Sequence, residues 1–564
     1  MEVLPYKRNT VQLVPIGGLG EFGMNSMFLR VNNAGIIIDA GAMFPDFDQP
    51  GIDVVIPDYS FLDEHGIKDV IKAIVITHAH EDHIGAIPFL CQDLGKDIDI
   101  YGTKLTIGFI KKKLEEHRFE HKINLHVVQA GESIRFDEIK INFIQVTHSI
   151  VDSLALFVET PFGTVFHTGD FKIDKTPIDN RHFDFAGFAK AGEKGVDLLL
   201  ADSTNVERKG YTLSEKVVGE SLERIISKSE SKVIIACFSS HIHRVQQVLN
   251  VARKLNRKVA LVGTSLLNAF NVAKGLGYLK IPPDVLINDR DIPEIPPHRL
   301  IIITTGSQGE PMSALSRIVR NEHKRIKVEE GDTVIISAKT IPGNEKPVLK
   351  IINTLYKKGA EVFYEEVSEV HVSGHASREE LKMVFSMLKP RFFIPVHGEM
   401  KQLHHHMLLA KEMGLHRRNI KIIEDGDVIE LSKKGLRYVG KIQIGKKLIE
   451  GSGFDEVEEI ALKDRRRMAE DGIIIVTMVV DGKTSNLIGD VEIITRGFIL
   501  LSDSENEEQI DEMRRIVKER FYSLEEAMRI DWEYTRPHIR SALKKYIKKR
   551  FNAFPVILPI ILTV

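Results

Sequence analysis

Short apolar runs rich in β-branched residues recur along the chain, and several stop at a loop that opens with His or Asp. Residues 69–76 lead to Thr77-His78-Ala79-His80-Glu81-Asp82-His83, and 139–146 lead to Thr147-His148-Ser149. Residues 164–166 lead to His167-Thr168-Gly169-Asp170, and 392–396 to His397-Gly398-Glu399. Runs of this length and composition predict buried strands. Strand, short loop, then His or Asp, four times over, is how a sheet gathers polar side chains along one edge. Between the last two runs the pattern changes: 232–238, 258–263, 299–305 and 332–338 read as strands, and 242–255, 265–276 and 346–358 as helices. That alternation predicts a parallel sheet with helices on both sides. Beyond a linker at 446–453, the pattern predicts strands at 472–480, 491–500 and 555–562 and helices at 505–522 and 523–549, a small α+β domain.

His78, His80, Asp82 and His83 crowd four nitrogen and oxygen donors into six positions, the donor types that zinc and manganese take. With His148, Asp170 and His397 the donors exceed one tetrahedral site, whereas a shared Asp170 would satisfy two ions. A pair of ions about 3.5–4 Å apart forms a clamp for displacement at phosphorus.

The His78-x-His80-x-Asp82-His83 block, followed by His148, Asp170 and His397, resembles the metallo-β-lactamase fold. The resemblance implies an α/β protein, an αββα sandwich with two metals at the sheet edge. His78, His80 and His148 would serve one ion, Asp82, His83 and His397 the other, with Asp170 between them and a metal-activated hydroxide as nucleophile. The long interval before His397 is similar to the β-CASP nucleases, whose inserted parallel-sheet domain closes over a nucleic-acid strand. Ala201–Asn205 and His371-Val372-Ser373-Gly374-His375-Ala376-Ser377 match two further motifs of that group. Thr305–Met312, Ile341–Asn344, Gly17–Asn25, Ile56–Asp58 and Pro555–Pro559 are similar to segments of its ribonuclease J branch. The implied domains are 1–210 and 371–445 for the catalytic fold, 211–370 for the insertion and 454–564 for the C-terminal domain.

Several residues carry two readings. Asp202 either caps the turn after its strand or orients His375 for proton delivery to a departing 3′ oxygen; the resemblance counts Asp82, Asp202 and His375 as catalytic. Ser239, Ser240 and His241 precede a helix start, where N–H groups favour an anion, although Ser is also an ordinary cap there. The resemblance implies that with His371, Val372, Ser373, Gly374, His375 and Ser377 they hold a substrate phosphate, although His371 also reads as a packing residue; His241 stands where relatives often carry Asn. His167 reads as a support for the ligands. His404-His405-His406 reads as a solvated helix face, because consecutive helical residues diverge by about 100°. Gly17, Gly20 and Gly23 read as a tight hairpin that brings Asn25 to the site. Asp46, Asp48, Asp53 and Asp58 form an acidic loop, and a structural calcium on Asp53 and Glu450 is implied by some ribonuclease J relatives.

Composition narrows the class. A chain of 564 residues forms several domains. Two cysteines, no apolar leader and no run of about 20 apolar residues lead us to expect a cytoplasmic enzyme without a membrane span. There is no P-loop. The net charge of −2 is unusual for a nucleic-acid enzyme, but 536–550 holds seven Arg and Lys and no acid. What the resemblance to ribonuclease J implies is a 5′→3′ exoribonuclease on single-stranded RNA that prefers 5′-monophosphate ends and also cuts internally. It would act in rRNA processing and mRNA decay, with zinc or manganese, as a homodimer or homotetramer formed through the C-terminal domain. Two rivals are a hydrolase of small esters or lactams on the same fold and an inactive scaffold.

Overall fold

A computed structural model describes residues 7–46, 49–341, 343–451, 453–454, 456–498 and 503–564. The chain divides into two compact units, the larger holding Val54–Lys447 with the chain up to Phe44, the smaller holding Asp455–Val564 with two short segments.

In the larger unit two sheets face each other. The first orders its strands Gly435–Lys441, Asp427–Ser432, Val11–Gly17, Ser26–Val31, Ala34–Ile38, Ile71–Val75, Ile98–Gly102 and Ile123–Val127. The second runs Phe392–Val396, Leu198–Asp202, Gly163–His167, Leu154–Thr160, Ile139–Gln145 and Ser133–Phe136. Alternate residues of both, among them Leu13, Leu29, Ile36, Val75, Phe143, Leu156, Leu198 and Ile394, form one buried core. The other face of the second sheet packs Phe166, Leu199 and Phe393 against Phe188, Leu381, Phe385 and Leu409 of three helices. This is the expected metallo-β-lactamase arrangement, and the four loops of interest leave strand ends at one edge.

The insertion forms its own six-stranded sheet, in the order Leu286–Ile287, Lys258–Val262, Leu300–Thr304, Val233–Ala236, Thr333–Ile336, Glu361–Phe363. Every pairing in it is parallel. Its central strands are buried throughout, as near-continuous apolar runs require when helices cover both faces. The chain leaves from strand Leu198–Asp202 and returns through Phe392–Val396, its parallel neighbour. The interruption therefore costs the catalytic sheet no broken pairing.

The smaller unit has a three-stranded sheet, Glu492–Arg496, Ile473–Val480 and Val556–Thr563, under helices Asp503–Tyr522 and Trp532–Phe551. The expected strand at 491–500 is shorter, with residues 499–500 outside the described set. The helix expected from Ser523 begins only at Trp532. Asp531 intervenes as an N-cap, its Oδ1 accepting from the N–H groups of Glu533 (2.9 Å) and Tyr534 (3.3 Å). Among the described residues no helix is long and apolar enough to cross a membrane.

Candidate metal centre

The turn after Ile71–Val75 carries four of the donors and is fixed mainly through backbone bonds. Asn25 N donates to Asp82 O (3.0 Å), Ala40 N to His83 O (2.8 Å) and Ala42 N to Glu81 O (3.1 Å). The loop at 39–42, after strand Ala34–Ile38, lies so close to this turn that a Cβ on Gly41 would come 1.7 Å from Asp82 O. Gly41 is thus required by close approach. The 17–25 hairpin does bring Asn25 in: its Nδ2 lies 3.3 Å from Asp82 Oδ2 and 3.2 Å from His83 Nε2.

The structure brings all seven expected donors together in two groups. His78, His80 and His148 form one, with His80 Nδ1 3.1 Å from both His78 Nε2 and His148 Nε2. Asp82, His83, Asp170 and His397 form the other. There His83 Nε2 lies 3.2 Å from Asp170 Oδ2, and Asp82 Oδ2 lies 3.6 and 3.5 Å from His83 Nε2 and His397 Nε2. Donors held about 2.0–2.1 Å from a tetrahedral ion sit about 3.4 Å apart, so both groups fit a divalent cation. Asp170 Oδ2 is also 3.8 Å from His78 Nε2 and 3.9 Å from His148 Nε2, within reach of both groups.

Surrounding bonds aim the rings. His148 Nδ1–H donates to Gly374 O (2.8 Å), His83 Nδ1–H to Asp39 Oδ2 (2.8 Å) and His397 Nδ1–H to Asp170 Oδ1 (2.8 Å). Each bond leaves Nε2 for the centre. Thr77 Oγ1, which donates to Asp39 Oδ2, lies 3.1 Å from His78 Nδ1. Asp39 was missed in the sequence, where nothing marks it as more than the last residue of an apolar run; its left-handed φ of 60° is one signal that backbone is bent for function. His167 does not join either group; its Nδ1 accepts from Gly169 N (3.0 Å) in the loop before Asp170.

Electrostatics separates the two groups. Burial lowers the pKa of His78, His80 and His148, that of His80 to about 4, so they are neutral donors. Burial acts the same way on His83 and His397, but the neighbouring carboxylates, Asp170 foremost, override it and raise both, His397 to about 10. Without a cation the second group thus retains protons to offset its acids.

Beside this centre, His375 Nδ1 donates to Asp202 Oδ2 (2.8 Å). The same carboxylate also caps the turn after its strand, Oδ1 accepting from Thr204 N (2.9 Å) and Thr204 Oγ1 (2.7 Å). Gly374 meets a steric need: a Cβ there would fall 2.6 Å from His148 Cε1. Ser373 Oγ accepts from Asn205 Nδ2 (2.7 Å), and Ser377 opens helix Arg378–Leu388 in a capping box with Glu380. Val372 is buried, and His371 is half-buried, with its Nδ1 atom buried and unpartnered. Ser239 and Ser240 are half-buried before helix Ile242–Lys254, whose N-cap residue is His241 without a side-chain capping bond. The His241 ring turns inward instead, 3.2 Å from Glu215 Oε1.

One expectation is corrected by side-chain placement. His404 and His405 are exposed, but His406 is fully buried, 3.0 Å from Ser203 Oγ and against Phe393, and burial lowers its pKa to about 3. The run is amphipathic, with one His in the core. At the acidic loop, Asp53 Oδ2 accepts from Gly451 N (2.6 Å) and Glu450 pairs with Arg465. Asp58 pairs with Lys447 (3.2 Å), and Asp48 lies outside the described residues.

Comparison with known proteins decides the family. The chain is 38% identical over 560 residues to ribonuclease J2 of Bacillus subtilis (strain 168), covering 99% of this chain and 100% of that protein. The chain belongs to the ribonuclease J family. Ribonuclease J of Thermus thermophilus is 39% identical over 562 residues, covering 98% and 95% of the two chains. Ribonuclease J of Helicobacter pylori (strain 26695) is 38% identical over 559 residues, covering 98% and 80%. Family models match in order: a β-lactamase superfamily domain at 49–225, the ribonuclease J β-CASP domain at 230–355, an RNA specificity domain of Zn-dependent metallo-hydrolases at 360–422 and the ribonuclease J C-terminal domain at 460–564. A crystal structure of an Enterococcus faecalis V583 protein of unknown function shares the fold, with a TM-score of 0.51 and 15% identity over 75% of this chain and 100% of that one. Membership in the ribonuclease J family places the chain among metal-dependent hydrolases.

Proposed function

We propose that the protein hydrolyses RNA phosphodiesters, running 5′→3′ from 5′-monophosphate ends and also cutting internally. The observation that carries this is the placement of the His375–Asp202 pair within a few ångströms of Asp170, the carboxylate within reach of both donor groups. Two divalent ions, zinc by the donor set with manganese as the alternative, would supply positive charge to the phosphate oxygens and lower the pKa of the attacking water. His78, His80 and His148 would hold one, Asp82, His83 and His397 the other, with Asp170 shared. The chain's own residues do the rest. Asp202 fixes the His375 ring through Nδ1, which leaves Nε2 to protonate the departing 3′ oxygen. Gly374 lets that loop lie against His148, so substrate contacts and metal ligands share one rigid frame. The loop 371–377, with the helix start at Ser239–Ser240, would take the terminal phosphate. The domain limits expected above and assembly through the C-terminal unit belong to the same proposal.

The test is one RNA carrying a 5′-monophosphate, a 5′-triphosphate or a 5′-hydroxyl. Mononucleotide release is expected to be fastest from the first, and equal rates on all three would remove the terminal-phosphate pocket.

A further inference from the structure

Arg244, on helix Ile242–Lys254 of the inserted domain, is a fully buried guanidinium. It donates from Nη2 to Glu215 Oε2 (2.9 Å), from Nη1 to Val370 O (2.8 Å) and from Nε to Gln247 Oε1 (3.2 Å). Ser337, just past strand Thr333–Ile336, donates its hydroxyl to the same Val370 carbonyl (2.7 Å). Two side chains of the inserted domain therefore grip the single peptide that precedes His371. Further along, the catalytic fold holds that loop at Ser373 by Asn205, at Gly374 by His148 and at His375 by Asp202, and Thr212 at the start of the inserted domain donates to His375 O (2.8 Å). Glu215 continues the network to His241, and the Nδ1 atoms of His241 and His371 are buried without a partner. Buried nitrogens left unpaired carry a desolvation penalty, which is unexpected in a purely structural network.

We propose that Arg244 is a positioning residue that sets the His371–Ser377 loop from within the inserted domain, so that selection of phosphorylated RNA ends depends on it. This rests on the terminal-phosphate reading above. A buried ion pair kept only for stability would behave differently, since an uncharged pair of similar volume replaces such a pair at little cost.

The experiment uses the full chain and one RNA with either a 5′-monophosphate or a 5′-hydroxyl. It compares the parent with Arg244→Lys, Ser337→Ala and the charge-free double variant Glu215→Gln/Arg244→Met, each checked for cooperative melting. In Arg244→Lys and the double variant KM for the monophosphorylated RNA is expected to rise at least about tenfold, bringing the preference between the two RNAs close to unity. Ser337→Ala shifts it the same way by less. A folded Arg244 variant that keeps the parent's preference, or loses rate equally on both RNAs, overturns the inference alone. A parent without any preference overturns the terminal-phosphate reading and this inference with it. Should Arg244→Lys fail to fold, the other two variants decide.

Discussion

The two donor groups share one carboxylate yet differ in kind. The first is three imidazoles made neutral by burial, with one partner each of modest polarity: the Thr77 hydroxyl, the Ser149 hydroxyl at 3.4 Å and the Gly374 carbonyl. The second mixes two imidazoles with two carboxylates, and Asp39 stands behind it. The first group is ready for a cation as it stands, because neutral imidazole is the ligating form. The second must give up protons first, and in return offers more negative charge. The lesson is that one centre can combine a site governed by geometry with a site governed by charge.

The largest effect that bears on this contrast should come from the atom the groups share. Asp170→Asn is expected to lower kcat by more than about 10³-fold and to reduce bound metal in both groups, as read by metal analysis; loss from one group only would show that Asp170 does not join them. Gly41→Ala comes next. Its Cβ would push directly on Asp82 O, costing about 1–3 kcal/mol of stability and emptying the second group while the first stays filled; full loading would contradict that close packing. Gly374→Ala acts on the other side, pressing on His148, and should lower activity about 10–100-fold through the first group. The smallest effect is in protons. Since His397 holds its proton up to about pH 10 without a cation, loading the second group at pH 7 should release protons and tighten as pH rises toward 10. Loading the first should release almost none above about pH 5, because His80 titrates near 4. Calorimetry in buffers of different ionisation enthalpy distinguishes them, and equal proton release from both would remove the contrast.

Much of this was legible beforehand because strands announce themselves as apolar runs and their ligands follow at once. The strands ending near Val75, Gln145, His167 and Val396 were found within a residue or two, as was each strand of the inserted sheet expected from its apolar run. Asp39, Glu215 and Arg244 escaped notice, since their partners are distant in sequence and a single acid or base in an ordinary run carries no signature of burial. His406 failed for the opposite reason: three histidines in a row look polar, but a helix presents each to a different environment. The helix at Ser523 was placed too early because Asp531 as a cap can be read only once the chain's turn is seen.

The gap of 227 residues between Asp170 and its bonded partner His397 has a consequence for biosynthesis. A ribosome that has released only the first third of the protein has exposed six of the seven donors, but neither the last imidazole nor the strand Phe392–Val396 that seats it. Domains emerge and fold from the N-terminus onward, so hydrolytic competence would arrive late, after the inserted sheet is made. A half-finished copy still tethered to its own transcript would be unable to cut it.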